Sequence, residues 1–396
     1  MMTAPCLKKE RIAILFQALE PPVIDGQRKK PKPGGYSDSG ADIGFTLQRA
    51  GREVLTPVPR PDPTCALDWV FPDTVEGIEV AIRQGATIIW ANTVLFVGHP
   101  LVQVMDRVKI IGQLPVNAQR FDDKFKTNRM LSKEGIFAAR SFSIGYGAES
   151  EISLENLNQA VLAVCGLAFP MILKPIRGRG SQGVVRVESL SELKIEAEAL
   201  LSSGHFGSSL IVEEYLSGEE LTVTVMPPKS RYRQGNQEPL DAAAFWGLRP
   251  VCRVNHVGGV APYNGTVAVS QNSLAVSGEK LAQPLVRSML KACLKTAALV
   301  EARAPIRIDC RADHQGIYRL FDLNMKPNMT GPGRPGRDDQ NSLSAIAAQA
   351  DGLSYLDLLT AMLAAAWTDD HQKSTIKHAP DLRQRDDLSI SIPNHL

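Results

Sequence analysis

No Cys-x-x-Cys pair occurs in the 396 residues: the six cysteines stand singly at 6, 65, 165, 252, 293 and 310, and none adjoins a histidine doublet. Zinc-ribbon chemistry is thereby excluded, and the thiols read as reduced core residues. Charge of one sign is equally lacking. The 44 basic and 42 acidic side chains leave a formal charge of +2, so there is no electrostatic footprint for nucleic acid or an anionic membrane. Long hydrophobic runs are missing too: the stretch from Ile12 to Phe16 is too short for a signal core or a membrane span. A cytoplasmic protein acting on small molecules is the expectation.

What is present is a 44% apolar content, enough for two or three domain cores at this length. The N-terminal portion alternates strand and helix. Strand patterns at Arg11–Phe16, Val54–Leu55 and Thr87–Trp90 alternate with helical stretches at about 37–50 and 75–84, and the run from Lys109 to Gly112 closes the unit. Such alternation predicts a parallel, helix-flanked sheet over residues 10–118. A second unit, 119–225, opens with a helix carrying Asp123, Lys124 and Lys126 and contains strands at 171–174 and 210–215 with a helix at 191–201 between them. A third, 226–370, contains a polar loop at 227–239, a long helix from about 278 to 302, two strands joined at Asp313–Gly316, and closing helices at 342–350 and 353–367. Residues 371–396 are polar and aperiodic and read as a disordered tail.

Three constellations carry chemistry. Lys174 interrupts the apolar strand Met171-Ile-Leu-Lys and needs an anionic partner if it is buried; a snorkelling surface lysine is the alternative. The loop Gly178-Arg-Gly180-Ser181-Gln-Gly183 offers bare amides and a hydroxyl to phosphate oxygens, or is a plain hairpin turn. Asp309 and Asp322 fall on strands joined by a short turn, with Asn324 on the face of Asp322 and Arg307 on that of Asp309. These hard oxygens suit magnesium completed by phosphate and water, and Arg307 suits a nearby oxyanion. A surface salt-bridge ladder is the competing reading. Glu213, Tyr215, Leu216 and Glu220 outline an apolar slot with acids at its lip, fit for a nucleoside, although each acid alone reads as a solvated surface residue.

Taken in order, Asp123-Lys124, Phe169 to Pro175, the glycine loop, Glu213 to Val223, Arg307-Ile-Asp309, Asp322 to Met329 and Asn341-Ser342-Leu343 resemble the ATP-grasp enzymes, and among them the D-alanine:D-alanine ligase-like carboxylate-amine ligases. The resemblance implies a three-domain α/β fold in which two antiparallel-sheet lobes behind the parallel-sheet domain hold ATP. It implies an acylphosphate mechanism ending in an amide, two magnesium ions with manganese as the alternative, small carboxylate and amine substrates, and a homodimer. By position, Lys124, Lys174, Gly180, Ser181 and Gly183 would serve the phosphates, and Glu213, Tyr215, Leu216, Glu220 and Phe321 the nucleoside. Asp309, Asp322 and Asn324 would hold metal. Arg307, with Ser181 and Lys174, would be catalytic; Ser342, Leu343, Arg337 and Asp38 would meet substrate.

The chain departs from that family in having Asp322 where a glutamate is usual, and in a longer Arg-bearing loop from Thr330 to Gln340. The family's mobile-loop phosphate lysine is not identifiable; Arg249, Arg253 and His256, before Gly258–Tyr263, are the candidates. A regulatory ATP-binding protein on the same fold is the alternative function.

Overall fold

The computed structural model describes residues 10–29, 31–146, 150–230, 244–254 and 269–369. Arg11–Phe16, Ile88–Asn92 and Lys109–Ile111 pair in parallel, Glu53–Leu55 lies on the other side of the first strand, and Phe71–Pro72 extends that edge. The first strand is apolar without alternation because both faces are covered. Ile12 and Ile14 pack with helices Ser37–Arg49, Leu343–Ala350 and Tyr355–Ala364, whereas Ala13 and Leu15 pack with helix Val75–Arg83. The last helices of the chain therefore complete the core of its first sheet. Trp367 pins that arrangement through reciprocal backbone bonds with Ile110, at 2.7 and 3.0 Å.

Two antiparallel sheets follow. In one, the order is Val185–Val187, Met171–Pro175, Ser209–Glu214 and Ser141–Gly145, with the short strand Ile152–Ser153 added in parallel at the edge. Leu193, Ala197 and Leu201 of helix Leu190–Ser202 cover it. In the other, the order is Ser273–Ala275, Val251–Arg253, Glu220–Met226, Ile306–Ala312 and Tyr318–Asn324. Val286, Met289, Cys293 and Ala297 pack beneath it.

These last four residues belong to a helix that is shorter than the sequence pattern suggests. The apolar periodicity predicts one helix from 278 to 302, but the structure has Gly278–Leu281 and then Pro284–Leu299. Pro284 is the reason: lacking an N–H, it is accommodated at the first turn of a helix and not in its interior. Among the described residues no helix is long and apolar enough to cross a membrane. The expected tail at 371–396, His256, Gly258–Tyr263 and most of the 227–239 loop lie outside the described residues.

Candidate active site

Between the two antiparallel sheets, and open toward the parallel one, is a cleft with a cavity volume of about 240 Å³. Lys124, Lys174, Gly180, Ser181, Glu213, Tyr215, Leu216, Glu220, Arg307, Asp309, Phe321, Asp322 and Asn324 all line it. Residues separated by up to two hundred positions thus meet on one wall. Strand register explains much of this. Ile172 pairs with Glu213, so Lys174 and Glu213 are diagonal neighbours on one face, within reach of long side chains.

Lys174 Nζ bonds Glu213 Oε1 at 2.8 Å and the Phe321 carbonyl at 3.1 Å. With the lysine only 5% exposed, the snorkelling alternative is overturned. Burial raises the Glu213 carboxyl above its ordinary value even with Lys174 beside it. Glu213 is therefore first a partner of the lysine, bonded also by Asn128 Nδ2 at 3.3 Å. Tyr215 is sandwiched by guanidinium groups, Arg186 at 4.4 Å and Arg311 at 5.3 Å from the ring centroid, a cation–π arrangement that fixes the slot's edge.

On the facing sheet Asp309 is opposite both Thr222 and Asp322. Thr222 Oγ1 donates to Asp309 at 2.8 Å, and Arg307, two residues back on the same face, grips both carboxylate oxygens at 3.1 and 3.0 Å. Burial still holds the Asp309 carboxyl above its usual range. At Asp322 burial acts in the same direction, but Lys124 and Lys174 outweigh it and the carboxyl is held low. Lys124 Nζ is 3.2 Å from Asp322 Oδ1, close enough for an ion pair, although that oxygen is buried with no hydrogen-bond partner of acceptable alignment. The surface ladder expected as the alternative is instead two ion pairs in the cleft, one with a buried acid, Asp309, and one half-buried.

The Asp322 carboxylate, held by its ion pair with Lys124, stands beside a second carboxylate and the Asn324 amide, and together they are an all-oxygen donor set. It fits a hard divalent cation completed by phosphate oxygens. No cluster of three His, Cys, Asp or Glu able to hold a metal occurs among the described residues, so a cation here would depend on Asn324 and on the ligand's own oxygens. Asn324 Oδ1 also accepts the Lys326 amide at 3.0 Å.

The glycine loop spans the hairpin between Met171–Pro175 and Val185–Val187. Gly180 and Ser181 both adopt left-handed backbone, with φ of 61° and 55°, which turns successive amides to one side. Gly183 does something else. A Cβ there would come within 2.9 Å of the Phe206 ring and 3.0 Å of Pro175, and the residue is not part of the cleft wall, so its role is close packing under the loop.

Four residues expected at the substrate lie outside that wall. Ser342 caps helix Leu343–Ala350, its hydroxyl accepting the Ala345 amide at 3.2 Å, and Leu343 is 5% exposed in the core shared with the first sheet. Arg337 grips Asp42 at 2.8 and 3.1 Å. Asp38 faces Arg334 at 3.4 Å and Arg337 at 3.7 Å. Arg337, expected at the substrate, is therefore engaged in attaching its own loop. Arg334, 2% exposed, shares Asp42 at 2.7 Å, so the loop is latched onto helix Ser37–Arg49. Of the three loop-cation candidates, Arg249 is engaged by Asp351 at 3.1 Å and Arg253 by Ser273 at 2.6 Å; His256 is not among the described residues.

Sequence reasoning did not single out Tyr36, Arg179 or Lys326, which also line the cleft. A signal for Tyr36 was available in Gly34-Gly35. Both glycines and Tyr36 itself have positive φ, at 71°, 55° and 67°, and a Cβ on Gly35 would lie 2.1 Å from the Gln17 carbonyl. Only this sequence brings the chain down onto the first strand's end and turns the tyrosine into the cleft.

Comparison with known proteins agrees with this geometry. The family model described as D-ala D-ala ligase C-terminus matches residues 148–364. The D-alanine--D-alanine ligase of Haemophilus influenzae (strain PittEE) is 27% identical over 205 residues, which are 52% of this chain and 58% of that enzyme. That of Bordetella pertussis is 24% identical over 255 residues, 64% of this chain and 69% of the relative. The match therefore spans little more than half the length of the first of these enzymes. Among solved structures, the D-alanine--D-alanine ligase of Bacillus anthracis complexed with ATP aligns with a TM-score of 0.60 at 17% identity, over 90% of this chain and 97% of that one. The VanG D-Ala:D-Ser ligase of Enterococcus faecalis aligns at 0.57 and 11% identity, over 90% and 99%. At such identities the structures establish a common fold. With a family model matched over more than half of its length, the chain belongs to the D-Ala–D-Ala ligase C-terminal domain family.

Proposed function

We propose that the cleft binds ATP with a divalent cation, and that the protein is an ATP-dependent ligase joining a small carboxylate to an amine through an amide bond. The observation that carries this reading is one cluster in the cleft: Lys124 and Lys174 act on Asp322, Arg307 pairs with Asp309, and the two carboxylates are cross-strand neighbours. A site that binds nucleotide without consuming it has no need of an arginine aimed at the same point as the metal oxygens.

In the reaction, the γ-phosphoryl group passes from ATP to a carboxylate oxygen, breaking its bond to ADP. The amine then adds to the carbonyl carbon, the bond from carbon to the phosphorylated oxygen breaks, and amide, phosphate and one proton leave. Lys124, Lys174, Gly180 and Ser181 would hold phosphate oxygens, while Tyr215, Leu216, Glu220 and Phe321 would bound the nucleoside. Arg307, which lines the cleft beside Asp309, would stabilise the tetrahedral oxyanion. Magnesium, or manganese in its place, would be held by Asp309, Asp322 and Asn324 and supply charge neutralisation at the phosphates. The substrates are small molecules and the setting the cytoplasm.

Acid-dependent ADP release, measured across a panel of acids and amines, tests the proposal. ATP that binds in the cleft but is never consumed with any pair would favour the regulatory reading instead.

A further inference from the structure

Three cations converge on one ring at the end of the cleft nearest the parallel sheet. Lys326 Nζ lies 3.2 Å from the centroid of Tyr36, Lys32 Nζ 5.2 Å and the Arg179 guanidinium 5.7 Å. Elsewhere in the cleft Lys29, Lys124, Lys174, Arg177 and Arg307 have carboxylate partners, namely Asp122, Asp322, Glu213, Asp123 and Asp309. Here the pattern breaks. Among the described residues neither Lys326 nor Arg179 forms an ion pair. Lys326 instead donates to the neutral Asn92 Oδ1 at 2.9 Å, and Asn92 is fixed in that orientation because its own Nδ2 donates to the Tyr36 carbonyl and to Ser39 Oγ, at 2.9 and 3.0 Å.

Arg179 is less satisfied still. Its Nη1 donates to the Tyr36 hydroxyl at 3.3 Å, but its Nε and Nη2 are buried without a hydrogen-bond partner among the described residues. Unpaired donors on a buried guanidinium are costly unless a ligand completes them. The one carboxylate on the adjoining helix turn, Asp38, faces Arg334 and Arg337 and also acts on Lys32, but forms no ion pair with Lys326 or Arg179. An ammonium group placed in this corner would meet three basic side chains and, among the described residues, no carboxylate paired to Lys326 or Arg179, whereas an anion would find the open guanidinium donors of Arg179 and the Lys326 amine.

We propose that this corner seats a second anionic group on the acid substrate, so that the acid is a dianion, one group being activated while the other rests against Arg179 and Lys326. The inference rests on the ligase reading for the meaning of the cleft, but its ligand chemistry, a carboxylate or a phosphonate or phosphate on the same small molecule, can be tested without turnover.

The test is calorimetric binding to the full chain with magnesium and a non-hydrolysable ATP analogue present, at fixed ionic strength. The probes are the dicarboxylates from malonate to adipate and the corresponding phosphonocarboxylates, each against the monocarboxylate of the same chain length. At least one dianion series should bind about tenfold or more tightly than its monoanion, as one charge-assisted contact gives, and which series does so identifies the second group. Lys326→Met should erase that advantage, Lys326→Arg should keep most of it, and affinity for the ATP analogue should stay within about twofold in both. Arg179→Gln serves as the second probe if Lys326→Met does not fold. Equal binding of dianions and monoanions in the wild type would overturn the inference, as would a tenfold loss of analogue affinity in Lys326→Met, which would give the corner to the nucleotide. Acid-dependent ADP release in a wild type that uses monoanions as well as dianions would keep the ligase reading and remove only this inference.

Discussion

Asp309 and Asp322 face each other across two neighbouring antiparallel strands, and each is already gripped by a cation, Asp309 by Arg307 at 3.0 Å and Asp322 by Lys124 at 3.2 Å. Two acids set side by side in a buried site would repel each other, and these four groups instead alternate in sign. In the proposed reaction Asp309 and Asp322 would hold the divalent cation, which would leave Lys124 and Arg307 for phosphate and oxyanion.

Asp322→Ala should therefore remove the metal dependence of nucleotide affinity. Binding of an ATP analogue measured with and without magnesium should differ by about tenfold or more in the wild type and by much less in the variant, while adenosine-side contacts remain. An unchanged magnesium effect would take Asp322 out of the metal site.

Lys174→Ala should do two things at once, because the lysine is bonded to buried Glu213 and not merely aimed at solvent. Removing one member of a buried pair costs about 3 to 5 kcal/mol, here toward the lower end since Glu213 already has a raised pKa and can take up a proton. Lys174→Met combined with Glu213→Gln should recover most of the thermal stability without recovering nucleotide affinity. Recovery of both would assign Lys174 a purely structural role.

The latch between the 330–341 loop and helix Ser37–Arg49 predicts a graded loss. Arg334 is 2% exposed and bonds Asp42, the Pro63 carbonyl and Asp38, while Arg337 keeps more contact with water. Arg334→Ala should lower stability by roughly 2 to 4 kcal/mol for its charged hydrogen bonds, and Arg337→Ala by less. Chemical denaturation of both variants checks the order. A shift in an acceptor's Michaelis constant at unchanged stability in Arg337→Ala would return Arg337 to the substrate.

Asp73 gives the pH dependence of the cleft's rim. It accepts the Ala18 and Leu19 amides at 2.8 Å each and stands 3.2 Å from His99 Nε2, just before the Pro21–Pro22 segment that lines the cleft. Burial would raise its pKa, but His99 and Thr93 outweigh burial and hold it below 3.8. A depressed carboxyl contributes stability that is present above about 3.8 and lost as pH falls through the native value. Asp73→Asn should cost about 1.5 to 3 kcal/mol at neutral pH and flatten the acid limb of a melting profile. An unaltered acid limb would contradict that assignment.

What could be read from the chain beforehand follows from range. Lys174 stood out because a charge in an apolar strand is a local anomaly, and Asp309, Asp322 and Asn324 because strand alternation and a short turn fix their faces. The nucleoside slot followed from residues within eight positions of one another. Asp42 could not be paired with Arg334, 292 residues away, since an acid and an arginine on distant surfaces carry no mark of each other. Nor did Lys326 announce itself: its neighbours Asp322 and Asn324 had roles, and its own depends on Tyr36 and Asn92 arriving from the parallel sheet. The break at Pro284 was legible and was overridden by the apolar periodicity on either side of it.

Oxygen transfer from acid to phosphate tests the central claim most directly. With the acid that best supports ADP release, labelled with ¹⁸O in both carboxylate oxygens, turnover with an amine should place one labelled oxygen in inorganic phosphate and form ADP, because the bond broken in the second step joins carbon to the phosphorylated oxygen. Label recovered in AMP, with pyrophosphate released, would show an adenylate in place of an acylphosphate and contradict the account.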